Sequence, residues 1–252
     1  MTTAFKKNKL PAKVYADRTA MGEAAASDVM NKINELLTKQ DFINIIFAAA
    51  PSQNEFLSAL IKSSVEWSRV RAFHMDEYIG LSDDAPQGFG NFLKEKIFGK
   101  LPFAAIHYIN GNTIASEAAC KRYADLLNQF PVDIVCMGIG ENGHIAFNDP
   151  PVADFNDGQL VKVVELDHAC RQQQVNDGCF KTIDEVPKNA ITLTIPALMA
   201  ARYVYCMVPG PTKVEAVFNT LHQDIVEQYP STILRTHEHA ILYLDALSSG
   251  NL

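Results

Sequence analysis

The chain alternates between short apolar runs and segments with helical periodicity from about residue 13 to residue 245. The runs DFINIIFAAA (41–50), VDIVCMG (132–138) and YVYCMV (203–208) have the length and composition of strands buried on both faces. Strand–helix–strand units with right-handed crossovers build parallel sheets. The alternation therefore predicts an α/β fold: a three-layer sandwich with a doubly wound, mainly parallel, Rossmann-like sheet in a single domain. Further strands are predicted at 13–18, 70–78, 105–110, 160–167 and 240–245. The segment 190–201 is predicted to begin as a strand and continue as a helix. Helices are predicted at 20–37, 88–98, 116–129 and 211–222, and another begins at residue 51 or 52.

No Gly/Ser/Pro-rich linker interrupts the 252 residues, so we expect one domain over 1–252, with residues 1–10 as a frayed N-terminus that lacks the apolar region of a leader. A net charge of −7 argues against extended contact with nucleic acid or a membrane. The five cysteines are scattered and never spaced C-x-x-C, which is typical of reduced thiols in a cytoplasmic protein. Because no histidine or cysteine pair has a tight ligand spacing, we expect no metal, and the pattern calls for no cofactor.

Ligands of such sheets bind beyond the carboxyl ends of the strands, and four predicted ends carry reactive or polar groups: 50–54, 74–78, 138–149 and 209–213. In the second of these, Asp76 and Glu77 directly follow a buried strand. A carboxylate in a crevice can act as a general base on a carbon acid if burial raises its pKa. The alternative is a solvated turn acid or a helix cap.

The third end, GIGENGHIAFNDP, combines three glycines with an imidazole, a carboxylate and an amide. The glycines allow close backbone approach to a ligand, but their spacing does not continue as a dinucleotide-binding fingerprint. The histidine can move a proton near neutral pH, and the acid can orient its ring. A histidine held in a loop by hydrogen bonds is the alternative. The residues concerned are Gly138, Gly140, Gly143, Asn142, His144 and Asp149.

The first and fourth ends each look like the start of a helix. Ser52 lies in AAAPSQNE, where free backbone N–H groups and a positive dipole end would suit a phosphate, although a plain N-cap is the alternative. Lys213 lies in VPGPTKVEAV, in a first turn where the helix dipole disfavours a cation unless it faces an anion; a surface lysine is the alternative. Together the four ends suggest a small phosphorylated, carbonyl-bearing substrate.

Three motifs resemble the glucosamine-6-phosphate deaminase family, which shares a fold with the 6-phosphogluconolactonases. FHMDEYIGL is similar to the family's MDEY-x-GL segment, GIGENGHIAFNDP to its G-x-G-x-DGHIAFNEP segment, and VPGPTKVEAV to its glycine-x-x-lysine helix start. The similarity in order and spacing extends over roughly residues 20–245. The lactonases follow GH with a Ser-Leu-Phe-Pro type of ending, which this chain lacks.

The resemblance implies an enzyme of amino-sugar metabolism that acts as an aldose–ketose isomerase and releases ammonia. Asp76 would move a proton from C2 to C1 of the sugar through an enediol(ate), and His144, assisted by Asp149, would open the ring. Lys213 and Ser52 would hold the 6-phosphate. Neither metal nor organic cofactor is implied; the partner is the small sugar phosphate, and because relatives are often multimeric a homo-oligomer stays open.

Four departures from the family pattern leave the sugar open. Asn142 replaces an aspartate and Asp149 a glutamate, while AAAPSQN replaces a glycine-rich phosphate loop. The family's arginine before the VP segment has only Arg171 nearby, several residues early. The alternatives to a deaminase acting on glucosamine or galactosamine 6-phosphate are a lactonase-like or other sugar-phosphate hydrolase or isomerase, and a non-catalytic sugar-phosphate sensor.

Overall fold

The computed structural model describes residues 1–113, 115–250 and 252, which form eleven strands and eight α-helices in alternation. The strands are β1 (Thr3–Lys7), β2 (Leu10–Tyr15), β3 (Ile43–Phe47), β4 (Val70–His74), β5 (Asp76–Tyr78), β6 (Ala105–His107), β7 (Ile134–Met137), β8 (Val161–Glu165), β9 (Asn189–Leu193), β10 (Tyr203–Val208) and β11 (Ala240–Asp245). The helices are α1 (Arg18–Leu37), α2 (Asn54–Leu60), α3 (Phe89–Leu93), α4 (Ser116–Gln129), α5 (His168–Asn176), α6 (Ile195–Met199), α7 (Val214–His222) and α8 (Ala246–Ser249). Single 3-10 turns at Pro51–Gln53 and Pro211–Lys213 lead into α2 and α7.

The central sheet has eight strands in the order β1-β2-β11-β10-β7-β3-β4-β6, all parallel except β1. Alternate residues of each strand enter separate cores on the two faces. In β7, for example, Cys136 packs into the core that holds α1 and α2, while Val135 and Met137 pack into the core that holds α4 and α7. These two cores confirm the predicted α/β fold, a mainly parallel sheet between two layers of helices in a single domain.

The structure corrects two sequence predictions. Residues 1–10 are not simply a frayed end, because β1 pairs antiparallel with β2 from Thr3 to Lys7 and forms an edge of the sheet. The predicted strand at 70–78 is broken at Met75: β4 stays in the central sheet, whereas β5 joins β9 and β8 in a separate three-stranded antiparallel sheet. The predicted strands at 160–167 and near 190 therefore belong to this second sheet, not to the parallel one.

The chain order creates a switch point in the middle of the central sheet. From β3 the chain runs outward through β4 to β6, and from β7 it runs in the opposite direction through β10 to β11. Since β3 and β7 are neighbours, their carboxyl ends flank the crevice in which doubly wound folds bind ligands. In the part of the chain that the structure describes, no helix has the length and apolar character needed to span a membrane.

Candidate active site

A cleft of about 220 Å³ lies at this switch point. Its walls are the segments that follow four neighbouring strands: Ala48–Ser52 after β3, Met75 and Asp76 after β4, Gly138–Gly140 after β7, and Pro209–Lys213 after β10. All four strand ends singled out in the sequence therefore meet at one place. The fold brings a carboxylate, an imidazole and an ammonium group into a single cavity.

Asp76 is the first residue of β5 and lies at the bottom of the cleft, with only 6% of its surface exposed. Its backbone is held in register with Thr192 of β9, so the second sheet fixes the position of the carboxyl group. Burial raises the pKa of Asp76 well above its usual range, and the adjacent charge of Glu77 adds to the rise. A carboxylate that is costly to ionise and open to the cleft has the character of a general base.

His144 faces the cleft with its ring backed by a buried acid. Its Nδ1 lies 3.0 Å from Oδ1 of Asp149, which is completely buried. Burial alone would raise the pKa of Asp149. The charge of His144 and hydrogen bonds from His144, Asn142 and the Asp167 N–H outweigh burial and lower it. An ionised Asp149 at 3.0 Å favours a proton on Nδ1, which would leave Nε2 of His144 for proton exchange with a ligand.

Asn142 forms hydrogen bonds to both members of the His144–Asp149 dyad. Its Nδ2 donates to Oδ1 of Asp149 at 3.0 Å, and its Oδ1 accepts the backbone N–H of His144 at 3.0 Å. A carboxylate at position 142 could accept the second bond but could not donate the first. The amide thus suits an acid that is already paired with the histidine.

Two of the three glycines make room for these side chains, and the third forms the turn. A Cβ on Gly140 would lie 2.1 Å from Cε1 of His144, and one on Gly138 would lie 3.1 Å from Nε2 of Gln53. Gly143 has φ of +86°, a conformation that favours glycine, and it does not line the cleft. Gly140 therefore lets the histidine ring pack close to the end of β7.

Lys213 places an ammonium group in the cleft. It is 5% exposed, and burial lowers its pKa, with Asp177 and Glu141 offsetting part of that effect. Within the described residues no acidic oxygen lies close enough to form an ion pair with it. Ser52 shares the cleft, and its Oγ accepts a 3.2 Å bond from the neighbouring Gln53. A buried ammonium without a counter-ion favours an anionic ligand.

Comparison with known proteins agrees with this geometry. Residues 16–243 match the family model described as glucosamine-6-phosphate isomerases/6-phosphogluconolactonase. The chain belongs to this family. A glucosamine-6-phosphate deaminase of Streptococcus suis is 35% identical over 205 residues, which cover 81% of this chain and 86% of the relative. A deaminase of an Exiguobacterium species is 35% identical over 189 residues, covering 75% and 72%.

Solved structures extend the comparison within the glucosamine-6-phosphate isomerase/6-phosphogluconolactonase family. A monomeric glucosamine-6-phosphate deaminase superposes with a TM-score of 0.87 at 26% identity, covering 94% of this chain and 98% of the other. The 6-phosphogluconolactonase of Thermotoga maritima superposes with a TM-score of 0.76 at 20% identity, over 93% and 98%, which shows the shared fold. The protein is thus an enzyme of the isomerase/deaminase type.

Besides Gly143, the predicted residues Glu77 and Arg171 do not line the cleft. Glu77 turns towards α3, where its carboxylate accepts the N–H groups of Tyr78, Phe89 and Gly90 at 2.8–3.0 Å. Arg171 donates from Nη2 to the carbonyl oxygens of Ile183 and Val186, at 2.6 and 3.0 Å. Glu77 therefore braces a helix beside Asp76, and Arg171 braces the 183–186 turn.

Sequence reasoning also missed residues that line the cleft. Arg18, the first residue of α1, reaches the loop after β3, where it pairs with Glu55 and donates to the carbonyl of Pro51 at 3.0 Å. Gln174, in the last turn of α5, and Asp177, its C-cap, also line the cleft. The polar run RQQQVNDGCF (171–180) suits a surface loop or short helix, but no local pattern shows which of its side chains face a ligand.

Proposed function

We propose that the protein converts an amino-sugar 6-phosphate, with glucosamine 6-phosphate as the first choice, to the ketose 6-phosphate and ammonia. One observation carries the proposal: a buried carboxylate with a raised pKa, a histidine–aspartate dyad and a buried lysine without an ion pair share one cleft. The first two groups suit proton transfer at carbon and oxygen, and the third suits a phosphate.

Lys213 is the proposed anchor for the phosphate. It ends the 3-10 turn that precedes α7, and the start of a helix favours an anionic ligand. Ser52 adds a hydroxyl from the loop after β3, and Arg18, which is paired with Glu55, also lines the cleft. This arrangement supplies the charge that the missing glycine-rich loop would otherwise have supplied through its backbone.

His144 is the proposed group for opening the sugar ring. Nδ1 is engaged by Asp149, so Nε2 exchanges the proton between the C1 hydroxyl and the ring oxygen. Asp149 keeps the ring oriented and stabilises its positive charge when Nε2 is protonated. The product of this step is the open-chain aldehyde, whose C2 hydrogen is acidic because a carbonyl lies beside it.

Asp76 is the proposed base for that C2 hydrogen. It removes the proton from C2, which gives an enediol-type intermediate carrying the amino group at C2, and returns a proton to C1. The nitrogen is then held as an imine at C2. Water adds to this imine and ammonia leaves, so the sugar and one water give the ketose and one ammonia.

The departures from the family pattern are compatible with this chemistry. Asp149 is shorter than the glutamate it replaces, yet it lies at hydrogen-bonding distance from His144. Asn142 donates to Asp149 instead of repelling it, so the dyad keeps a single negative charge. A sensor that only binds a sugar phosphate would need neither Asp76 nor this dyad in its cleft.

A substrate panel tests the proposal. Purified protein is incubated with glucosamine 6-phosphate, galactosamine 6-phosphate and 6-phosphogluconolactone, and ammonia, ketose phosphate and acid are measured. We expect equal amounts of ammonia and ketose phosphate from one amino sugar. Acid from the lactone without ammonia would replace the proposal with a lactonase, and binding of all three without turnover would replace it with a sensor.

A further inference from the structure

Behind the catalytic dyad lies a third side chain with a metal-binding atom, Cys170 in the first turn of α5. One ligand atom each from His144, Asp149 and Cys170 lies within 4.8 Å of the other two, and all three residues are buried. We propose that these three residues form a binding site for a soft divalent cation such as Zn²⁺, and that an occupied site stops the reaction. The inhibitory part of this inference rests on the proposed function, whereas binding of the metal does not.

The cap of α5 fixes the cysteine in place. Asp167 is the N-cap residue, and its Oδ1 accepts the backbone N–H of Cys170 at 2.6 Å. The N–H of Asp167 in turn lies 3.4 Å from Oδ2 of Asp149. One hydrogen-bonded segment therefore fixes the backbone of Cys170 near the Asp149 carboxylate, and rotation of the side chain sets the final position of the thiol.

The donor set suits zinc. Zinc takes nitrogen, sulfur and carboxylate oxygen at about 2.0–2.3 Å in tetrahedral geometry, which places neighbouring ligand atoms about 3.5 Å apart. Nδ1 of His144 and Oδ1 of Asp149, which lie 3.0 Å apart, have to separate slightly to bind one ion. Ligand atoms that lie up to 4.8 Å apart have to approach each other by about 1.3 Å. Rotation of side chains covers both changes. Of the three ligands His144 lines the cleft, and a water molecule would complete the tetrahedral set.

The charges also balance. Cys170 releases its proton to solvent as it binds, so a thiolate and the Asp149 carboxylate neutralise the two positive charges of the ion, and the imidazole stays neutral. A neutral cluster suits a buried site. Magnesium and calcium require six or more oxygen ligands, so a site with one thiolate and one imidazole discriminates against them.

An ion at this position would bind both His144 and Asp149. Nδ1 of His144 coordinates the metal, so its proton moves to Nε2, and that nitrogen can no longer accept a proton from the sugar. Asp149 is withdrawn from the ring at the same time. Sequence spacing did not predict this site because Cys170 lies more than 20 residues after His144 and Asp149 and is brought to them by the α5 cap.

Cobalt provides a readout that is independent of activity. Metal-free protein, treated with chelator and kept reduced, is titrated with Co²⁺, and the near-ultraviolet thiolate-to-cobalt absorption band is recorded. We expect this band in the wild type and in Cys179→Ala, the matched control at the half-buried thiol beyond the same helix. The band should be lost in Cys170→Ala and in Cys170→Ser, the second of which keeps the size of the side chain in case the alanine variant folds poorly.

Zinc inhibition is measured in parallel, with each variant normalised to its own chelator-treated rate. We expect EDTA-reversible inhibition of the wild type and of Cys179→Ala, and at least a tenfold higher zinc concentration for half-inhibition of both Cys170 variants. A wild type without a cobalt–thiolate band would overturn the site, whether or not the protein turns over an amino sugar. A band lost in Cys179→Ala instead of the Cys170 variants would also overturn it. Equal zinc sensitivity in all variants would overturn the inhibitory role.

Discussion

Gly140→Ala is a direct test of the way the glycine stretch positions His144. The added Cβ would lie 2.1 Å from Cε1 and 2.3 Å from both ring nitrogens, whereas ordinary contact begins near 3.4 Å. The backbone cannot yield easily, because the N–H of Gly140 donates to the carbonyl of His144 and its own carbonyl accepts the N–H of Gly143. The imidazole must therefore retreat by about 1.3 Å, which breaks its 3.0 Å contact with Asp149.

A displacement of about 1 Å in a catalytic group can reduce the rate on the order of 100-fold, equivalent to about 2.7 kcal/mol of transition-state stabilisation. We expect kcat/KM for the amino-sugar phosphate to fall by about that factor. Steady-state ammonia release measures it, with thermal unfolding recorded for each variant. Gly158→Ala is the matched control, since nothing lies within 4 Å of its added Cβ, and it should keep wild-type activity. Activity of Gly140→Ala within threefold of the wild type would refute the proposed placement of the ring.

Three further changes probe the charges of the cleft. Asn142→Asp puts a second carboxylate 3.0 Å from Asp149, which favours a protonated His144. The acid limb of the pH profile of kcat/KM should therefore move up by about one pH unit. An unchanged profile would make position 142 purely structural. Lys213→Met removes a charge-assisted bond to phosphate, so KM should rise about 30–100-fold with a folded protein by circular dichroism, and an unchanged KM would remove lysine from the phosphate site. Asp76→Asn should raise the Tm by a few degrees near neutral pH. The raised pKa of Asp76 means that its ionisation opposes folding as pH rises, so the gain should vanish in acid, and a constant gain would contradict that cause.

The elements that the sequence predicts well are those whose pattern is local. The strand at 203–208, the strand at 240–245 and the helix at 116–129 match β10, β11 and α4 at both ends. Each is a continuous apolar run or a clear helical period bounded by turn residues. The parallel sheet follows from their alternation, and with it the meeting of four strand ends in one cleft.

The second sheet could not be predicted in the same way. β5 pairs with β9, more than 100 residues later, and this pairing depends on a break at Met75 inside an otherwise uniform strand pattern. Periodicity shows that a segment is extended but not which partner it takes. The sequence therefore placed Asp76 at a strand end without showing that a separate sheet holds it there.

Polar side chains of the cleft were likewise predictable only where the local sequence places them at a strand end. Asp76, His144 and Lys213 follow buried strands directly, so the topology alone carries them to the cleft. Arg18 comes from the start of a helix more than 30 residues before the loop it reaches, and no local pattern marks it. Arg171 was chosen for its position in the chain, yet the carbonyl groups of the 183–186 turn bind its guanidinium.

The central claim is that Asp76 removes the C2 proton of an amino-sugar phosphate. The most direct measurement follows C2-deuterated glucosamine 6-phosphate by NMR with wild-type protein and with Asp76→Asn, alongside ammonia release. The wild type should cleave the C2–deuterium bond as ammonia appears, with deuterium passing to C1 or to water, while Asp76→Asn should retain deuterium at C2 and still be protected against unfolding by the bound substrate. Loss of deuterium from C2 at the wild-type rate in Asp76→Asn, or ammonia release with C2 deuterium intact, would contradict the claim.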